Sequence, residues 1–142
     1  SCYQMYHQSP TGLAGDSYNV LTRGLFVSSR AYLQRPEVVE SLLILYRVTG
    51  NEKYRDWGWE IFKSIEQHCK VEAGYSGVTD MTEFPHPHLD NKQQSWFLAE
   101  TLKYLYLLFS PTDVLPLDQW VFNTEAHPLQ IWNDRGGPPQ VN

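Results

Sequence analysis

Apolar residues recur at helical spacing in three stretches of this chain. Val39, Leu42, Leu43 and Tyr46 form the first stripe. Pro36 stands where a helix favours proline in its first turn, and Gly50 follows as a C-terminal cap. The second stripe is Tyr54, Trp57, Ile61, Ile65 and Cys69, with Asn51 as its cap, Glu52 in the first turn and Gly74 as its stop. The third helix is predicted from about Asn91 to Phe109, with Leu98, Leu102, Leu105 and Phe109 facing inward, and Ser110-Pro111 ends it. The period then changes. Trp120-Val121-Phe122 and Leu129-Gln130-Ile131 read as two short strands around the turn 123–128. Two regions carry no period. Residues 1–35, broken by Pro10, Gly12, Gly15 and Gly24, read as a loop-rich lead-in, and 74–90, with Pro85 and Pro87, as a loop. Gly136-Gly137-Pro138-Pro139 reads as a frayed end.

The pattern predicts an all-α fold of antiparallel helix pairs closed by a terminal β-hairpin. A chain of 142 residues can bury a core. Three helices with a wide aromatic surface nevertheless make a poor free-standing domain, so the helices are expected to pack against further neighbours. Aromatic residues make up 14% of the chain, which suits either a sugar-binding surface or a Tyr- and Trp-rich core.

The net charge is −5 and no basic block occurs, which excludes nucleic-acid binding. No apolar stretch approaches the roughly 20 residues of a membrane span. The polar opening SCYQMYHQSP does not read as a signal peptide. Cys2 and Cys69 make neither a disulfide framework nor a zinc-site spacing. No Asn is followed two positions later by Ser or Thr, so no N-glycan acceptor is present.

Three constellations can carry chemistry. In Arg35-Pro36-Glu37-Val38-Val39-Glu40-Ser41 the proline sets the helix start. Glu37 and Glu40 then share one face at i, i+3, with Arg35 beside them to hold a carboxylate ionised. A positioned, ionised carboxylate is what a general base in glycoside hydrolysis requires. The same two acids would equally complement a helix dipole. In Ser95 through Tyr104, Trp96 and Glu100 stand at i, i+4. That places a flat apolar ring beside a carboxylate, as a sugar ring needs; an amphipathic helix with one solvated Glu has the same spacing. In Phe122-Asn123-Thr124-Glu125-Ala126-His127-Pro128 the turn threonine offers a carbonyl and a hydroxyl to a hard cation such as calcium, or is an ordinary polar turn. His127 reads as structural. His86-Pro87-His88 is a weak metal pattern, and no nucleophilic Ser or Cys elbow is present.

Taken together, these segments resemble the C-terminal portion of the class I α-mannosidases, glycoside hydrolase family 47. The resemblance runs through Tyr32 to Ser41, Tyr54-Arg55-Asp56-Trp57-Gly58-Trp59, Ser95 to Phe109 and Val121 to Pro128, in order along nearly the whole chain. It implies that residues 1–142 are the C-terminal portion of one catalytic domain. The fold implied is part of an (α/α)7 barrel with the terminal hairpin reaching into it. The activity implied is calcium-dependent, inverting hydrolysis of α-1,2-linked mannose from high-mannose N-glycans.

By the same resemblance Glu37 is the general base, and Arg35, Glu40, Trp96, Glu100 and Glu125 surround the sugar or the waters of the calcium ion. Thr124 binds calcium directly. Cys2 matches one half of a disulfide whose partner lies upstream of Ser1. The general acid is also expected upstream, so that this stretch alone would be inactive. The implied setting is the ER or Golgi lumen, with any membrane anchor in an N-terminal segment, or secretion. A glycan-recognition protein of ER quality control and ER-associated degradation is the alternative within the same resemblance. Five positions depart from the family pattern: Gln34 stands for Leu, Val38 for Thr, Trp96 for Phe, and Gly15-Asp16 for Pro-Glu.

Overall fold

The computed structural model of the chain describes residues 2–132. Its two longest unbroken α-helices are α2, Glu37–Thr49, and α3, Lys53–His68. Both follow the predicted stripes. Val39, Leu42 and Leu43 of α2 and Ile61 and Ile65 of α3 are buried, with Cys69 directly after them. Each such side chain withdrawn from water contributes about 1.5–3 kcal/mol. Gly50 ends α2 in the left-handed conformation, φ +65°, and its N–H closes onto the Tyr46 carbonyl at 2.8 Å. Asn51 Oδ1 accepts the Lys53 N–H at 3.1 Å, so the predicted capping side chain does start α3. α3 ends at His68, well before Gly74. The residues between do not extend the helix. They form a tight hairpin of β3, Lys70–Val71, and β4, Gly74–Tyr75, with Gly74 supplying φ +136°.

The third helical stretch covers 95–109, not the full span from Asn91. It opens with two α-helical residues, Ser95 and Trp96, widens into a π-helical segment, Phe97–Leu102, and continues as α4, Lys103–Phe109. Its buried face is Phe97, Glu100, Thr101, Tyr104, Leu105, Leu107 and Leu108. Leu98, expected inside, is 59% exposed, and Phe109 is only partly buried. The inward face therefore lies one residue earlier than apolar counting predicts. Two of the residues it buries, Glu100 and Thr101, are polar. α3 approaches this helix closely at Gly58, where a Cβ would stand 2.4 Å from the Leu108 side chain. That contact explains a glycine between Trp57 and Trp59.

The lead-in is more ordered than its breakers suggest. It holds a short helix α1, Tyr3–His7, and an antiparallel hairpin of β1, Ser17–Leu21, and β2, Gly24–Ser29. Tyr3, Tyr6 and Leu13 join the main core. The loop after β4 is tied down by isolated bridges Tyr32–Val78 and Val78–Leu89. The terminal hairpin pairs β5, Trp120–Phe122, with β6, Pro128–Gln130. The described fold is thus helices with three two-stranded hairpins, where the sequence pattern predicts one. Residues 136–139, read as a frayed end, lie outside the described residues. Large apolar side chains remain open along α2, α3 and helix 95–109, among them Val48 at 74% and Tyr106 at 69% exposure.

Candidate active site

Three segments converge: the 33–40 stretch that opens α2, the first half of helix 95–109, and the turn 123–128. Pro36 cannot donate a backbone hydrogen bond and takes the cap position of α2, so Glu37 is the first helical residue and stands exposed. Glu40, one turn on, is half-buried. Glu100 lies in the π-helical segment and is only 7% exposed. Burial raises its pKa, and the charges of Glu125, Glu37 and Glu40 raise it further, while Lys103 opposes them. Three of the predicted carboxylates therefore act on the fourth, Glu100. Tyr104 stands beside them. Burial raises its hydroxyl pKa, and Glu40 and Glu100 add to the shift.

Arg35 is placed differently from the expectation. Its Nε donates to Asp16 Oδ1 at 2.5 Å, and its guanidinium lies over the Trp96 ring, 5.4 Å from the centroid. The bond to Asp16 is the main cause that raises the Arg35 pKa, and the charge of Glu37 contributes less. Arg35 thus spans Asp16 and Trp96 more than it serves the two glutamates. Trp96 is half-buried, and its indole N–H donates to the Leu33 carbonyl at 2.9 Å. The ring is locked at both its face and its edge, as a platform requires.

The turn is built by one side chain. Asn123 Oδ1 accepts the backbone N–H groups of Glu125 at 3.0 Å and His127 at 2.9 Å. Ala126 takes φ +56° and is fully buried. The Ala126 carbonyl accepts the Lys103 ammonium at 2.9 Å, which ties the turn to the helix that carries Glu100. Phe122 packs edge-on against Tyr104 with centroids 5.7 Å apart. Thr124, Glu125 and His127 are exposed.

Sequence reasoning names Glu37, Glu40, Glu100 and Glu125, and the structure brings them together. It omits Asp16, Lys103, Tyr104 and Asn123 as parts of the site. Lys103, three residues beyond Glu100, carries a legible signal in its spacing, and Asn123 is a recognisable turn-former. Asp16, 19 positions from Arg35, carries none. Cys2 is an exposed free thiol and Cys69 a buried one, so the two are not bonded to each other. Burial, with a smaller contribution from Asp90, pushes the Cys69 thiol up to about 12. The His88 ring meets Glu83 at 2.7 Å. Among the described residues, no three His, Cys, Asp or Glu side chains are close enough to hold a metal ion between them.

A cluster of acids beside a locked indole suits a sugar, and sequence comparison gives a carbohydrate-active class. The profile described as Glycosyl hydrolase family 47 matches residues 1–131. The chain belongs to that family. A mannosyl-oligosaccharide 1,2-alpha-mannosidase of Arabidopsis thaliana is 53% identical over 133 residues, 92% of this chain and 23% of the relative. Mannosyl-oligosaccharide 1,2-alpha-mannosidase IC of Homo sapiens is 49% identical over 138 residues, 92% of this chain and 21% of the relative. Among solved structures, the alpha-1,2-mannosidase from Trichoderma reesei superposes with a TM-score of 0.84 at 31% identity, over 91% of this chain and 32% of that one. The chain spans about a fifth of the length of the curated relatives it matches.

Proposed function

We propose that the full-length protein is a calcium-dependent, inverting α-1,2-mannosidase that trims high-mannose N-glycans, and that this chain supplies the base side of its active site. The observation that carries the reading is a buried carboxyl, Glu100, raised first by burial and then by the charges of Glu125, Glu37 and Glu40, which all act on it. Acids are gathered this way where water, sugar hydroxyls or a cation are to be held. Four relatives named as α-1,2-mannosidases, from plant, insect, human and fungus, support the substrate class.

In this reading Glu37, exposed at the mouth of α2, takes the proton from the attacking water. The water oxygen bonds to the anomeric carbon as the glycosidic bond breaks. A carboxylic acid beyond these residues protonates the leaving oxygen. Trp96 offers its ring to the apolar face of the sugar. Arg35, Glu40, Glu100 and Glu125 bind its hydroxyls or the ordered waters. The full fold is the (α/α)7 barrel, with the β5–β6 hairpin reaching into it and further helices covering the open apolar faces of α2, α3 and helix 95–109. Cys2 pairs with an upstream cysteine. The protein works in the ER or Golgi lumen or is secreted. Among the described residues no helix is long and apolar enough to cross a membrane.

The donor chemistry fits calcium. The carboxylates and the Thr124 oxygens are hard donors, and the negative charge around Glu100 is what a dication relieves. Thr124, exposed on a turn held by Asn123 and Lys103, would bind the ion through its hydroxyl and carbonyl. The glutamates would hold the ion's waters. Bound calcium would organise sugar hydroxyls and offset charge.

The test is full-length protein incubated with α-1,2-linked mannobiose and followed by proton NMR. The expected result is release of mannose first as the β-anomer, abolished by a calcium chelator. Release of the α-anomer would overturn inversion. No release, with protein that is folded and calcium-loaded, would overturn the enzymatic reading.

A further inference from the structure

Gln34 is an unexpected residue for its position. Its backbone has φ +59°, a left-handed conformation that long side chains rarely adopt. Its side chain is fully buried. The amide is only half satisfied: Oε1 accepts the Gln94 backbone N–H at 3.1 Å, while Nε2 has no partner among the described residues. For stability alone this is a poor arrangement, because the backbone is strained and a buried donor is left open. An apolar side chain or a glycine would remove one cost or the other.

The bonds Gln34 makes give the compensation. Besides Gln94, its carbonyl accepts the Thr101 hydroxyl at 2.6 Å, inside the π-helical segment. Its neighbours reach the same helix: the Leu33 carbonyl takes the Trp96 indole N–H, and the Arg35 guanidinium covers the Trp96 ring. Residues 33–35 are thus joined to 94–101 at four points. Gln34 makes two of these contacts, one ahead of the helix and one beyond its first turn. Glu37 follows the joint on one side, and Glu100 lies within it on the other.

We propose that Gln34 is a positioning residue that sets the register of helix 95–109 against the 33–37 segment, and so fixes where Trp96 and Glu100 stand relative to Glu37. The consequence for catalysis rests on the mannosidase reading above. The register itself does not. The left-handed backbone turns both the carbonyl and the side chain of one residue toward the same helix. Loss of the side-chain contact frees the lead into that helix at Gln94, and a shift of about 1 Å in an active-site group can cost on the order of 10²-fold in rate.

Two variants of the full-length protein test this. Gln34→Met keeps length and volume but removes the amide. Gln34→Asn keeps an amide on a residue that accepts left-handed backbone more readily, but is too short to reach Gln94. Amide hydrogen exchange over residues 92–101 reads the register. Rate constants and the pH–rate profile on α-1,2-linked mannobiose read its consequence. Both variants are expected to exchange faster over 92–101, to lose roughly 10–100-fold in kcat with KM changed by less than about threefold, and to displace one limb of the pH–rate profile. The limb is expected to move because the charges of Glu37, Glu40, Glu125 and Lys103 all act on Glu100, so a change of register alters the field in which the catalytic carboxylate works. Unchanged exchange in Gln34→Met, or wild-type kcat in Gln34→Asn, would overturn the proposal. So would activity lost only in proportion to folded protein with the pH profile unmoved, since that marks a purely structural role. An inactive wild-type protein would overturn the functional reading instead, and the exchange measurement would still decide the register.

Discussion

The two walls of the site are built in opposite ways. The wall of Arg35 and Glu37 is knitted to helix 95–109 and its lead-in by buried and half-buried bonds through Gln34, Thr101 and Trp96. The wall of Thr124 and Glu125 is an exposed turn, organised by the single side chain of Asn123 and moored by Lys103. The first suits a group that must meet its target in one geometry. The second suits oxygens that act on an ion or on water, where bond lengths and ligand number are forgiving. Substitutions on the first wall should therefore fall mainly on the rate, and those on the second on cation affinity.

The largest effect is expected at Glu37. In the full-length protein Glu37→Gln keeps the shape of the side chain but cannot take a proton from water. Turnover of a high-mannose oligosaccharide should fall by roughly 10²–10⁴ while sugar binding, measured by calorimetry, persists. A near-normal kcat would move the base elsewhere, with Glu100 the next carboxylate in line. A smaller effect is expected at Thr124. Thr124→Ala keeps the carbonyl and loses the hydroxyl, so calcium affinity should drop by about tenfold with the fold intact. Equal calcium titrations for the two proteins would mean that the turn binds no cation. Asn123→Ala acts one step further back. It removes the acceptor for two backbone N–H groups on an exposed turn, which should lower thermal stability by about 1 kcal/mol and calcium affinity by less than Thr124→Ala does. If Asn123→Ala instead proves the more damaging to catalysis at saturating calcium, the contrast between the walls fails.

The helices α2 and α3 were legible because their apolar stripes, Pro36, Gly50 and Asn51 all point the same way. The third helix misled for a physical reason. Apolar counting places Leu98 inside and Glu100 outside, yet the site draws Glu100 and Thr101 inward and leaves Leu98 in the open. The carboxylate cluster was legible from motif resemblance, since each member sits within a short conspicuous segment. Asp16 and Gln34 were not legible as parts of the site. Their partners lie 19 and 60 or more positions away, and a left-handed glutamine has no local sequence signal. The β1–β2 hairpin was hidden by the glycines at 12, 15 and 24, which read as breakers although one of them, Gly24, begins a strand.

Glu100 stands between the two walls, and the smallest predicted effect decides which it serves. Its carboxyl is raised above the ordinary value of 4.5 by burial and by three neighbouring acids. The folded protein therefore holds this proton more tightly than the unfolded chain does. The sign follows directly: well below pH 4.5 both states are protonated and the group contributes nothing. As pH rises from there through the folded-state value, ionisation disfavours the fold, and above it the full penalty persists. Glu100→Gln removes the charge and keeps the shape. In calcium-free buffer at pH 7 the full-length variant should unfold roughly 1–3 °C higher than wild type. The gain should vanish near pH 4. Calcium bound beside the acids would favour the ionised form, so adding it should shrink the difference or reverse it. A variant less stable at pH 7 without calcium would place Glu100 with the knitted wall, as a structural partner of α2. A gain that calcium erases would place it with the turn, as one of the charges that hold the ion's water.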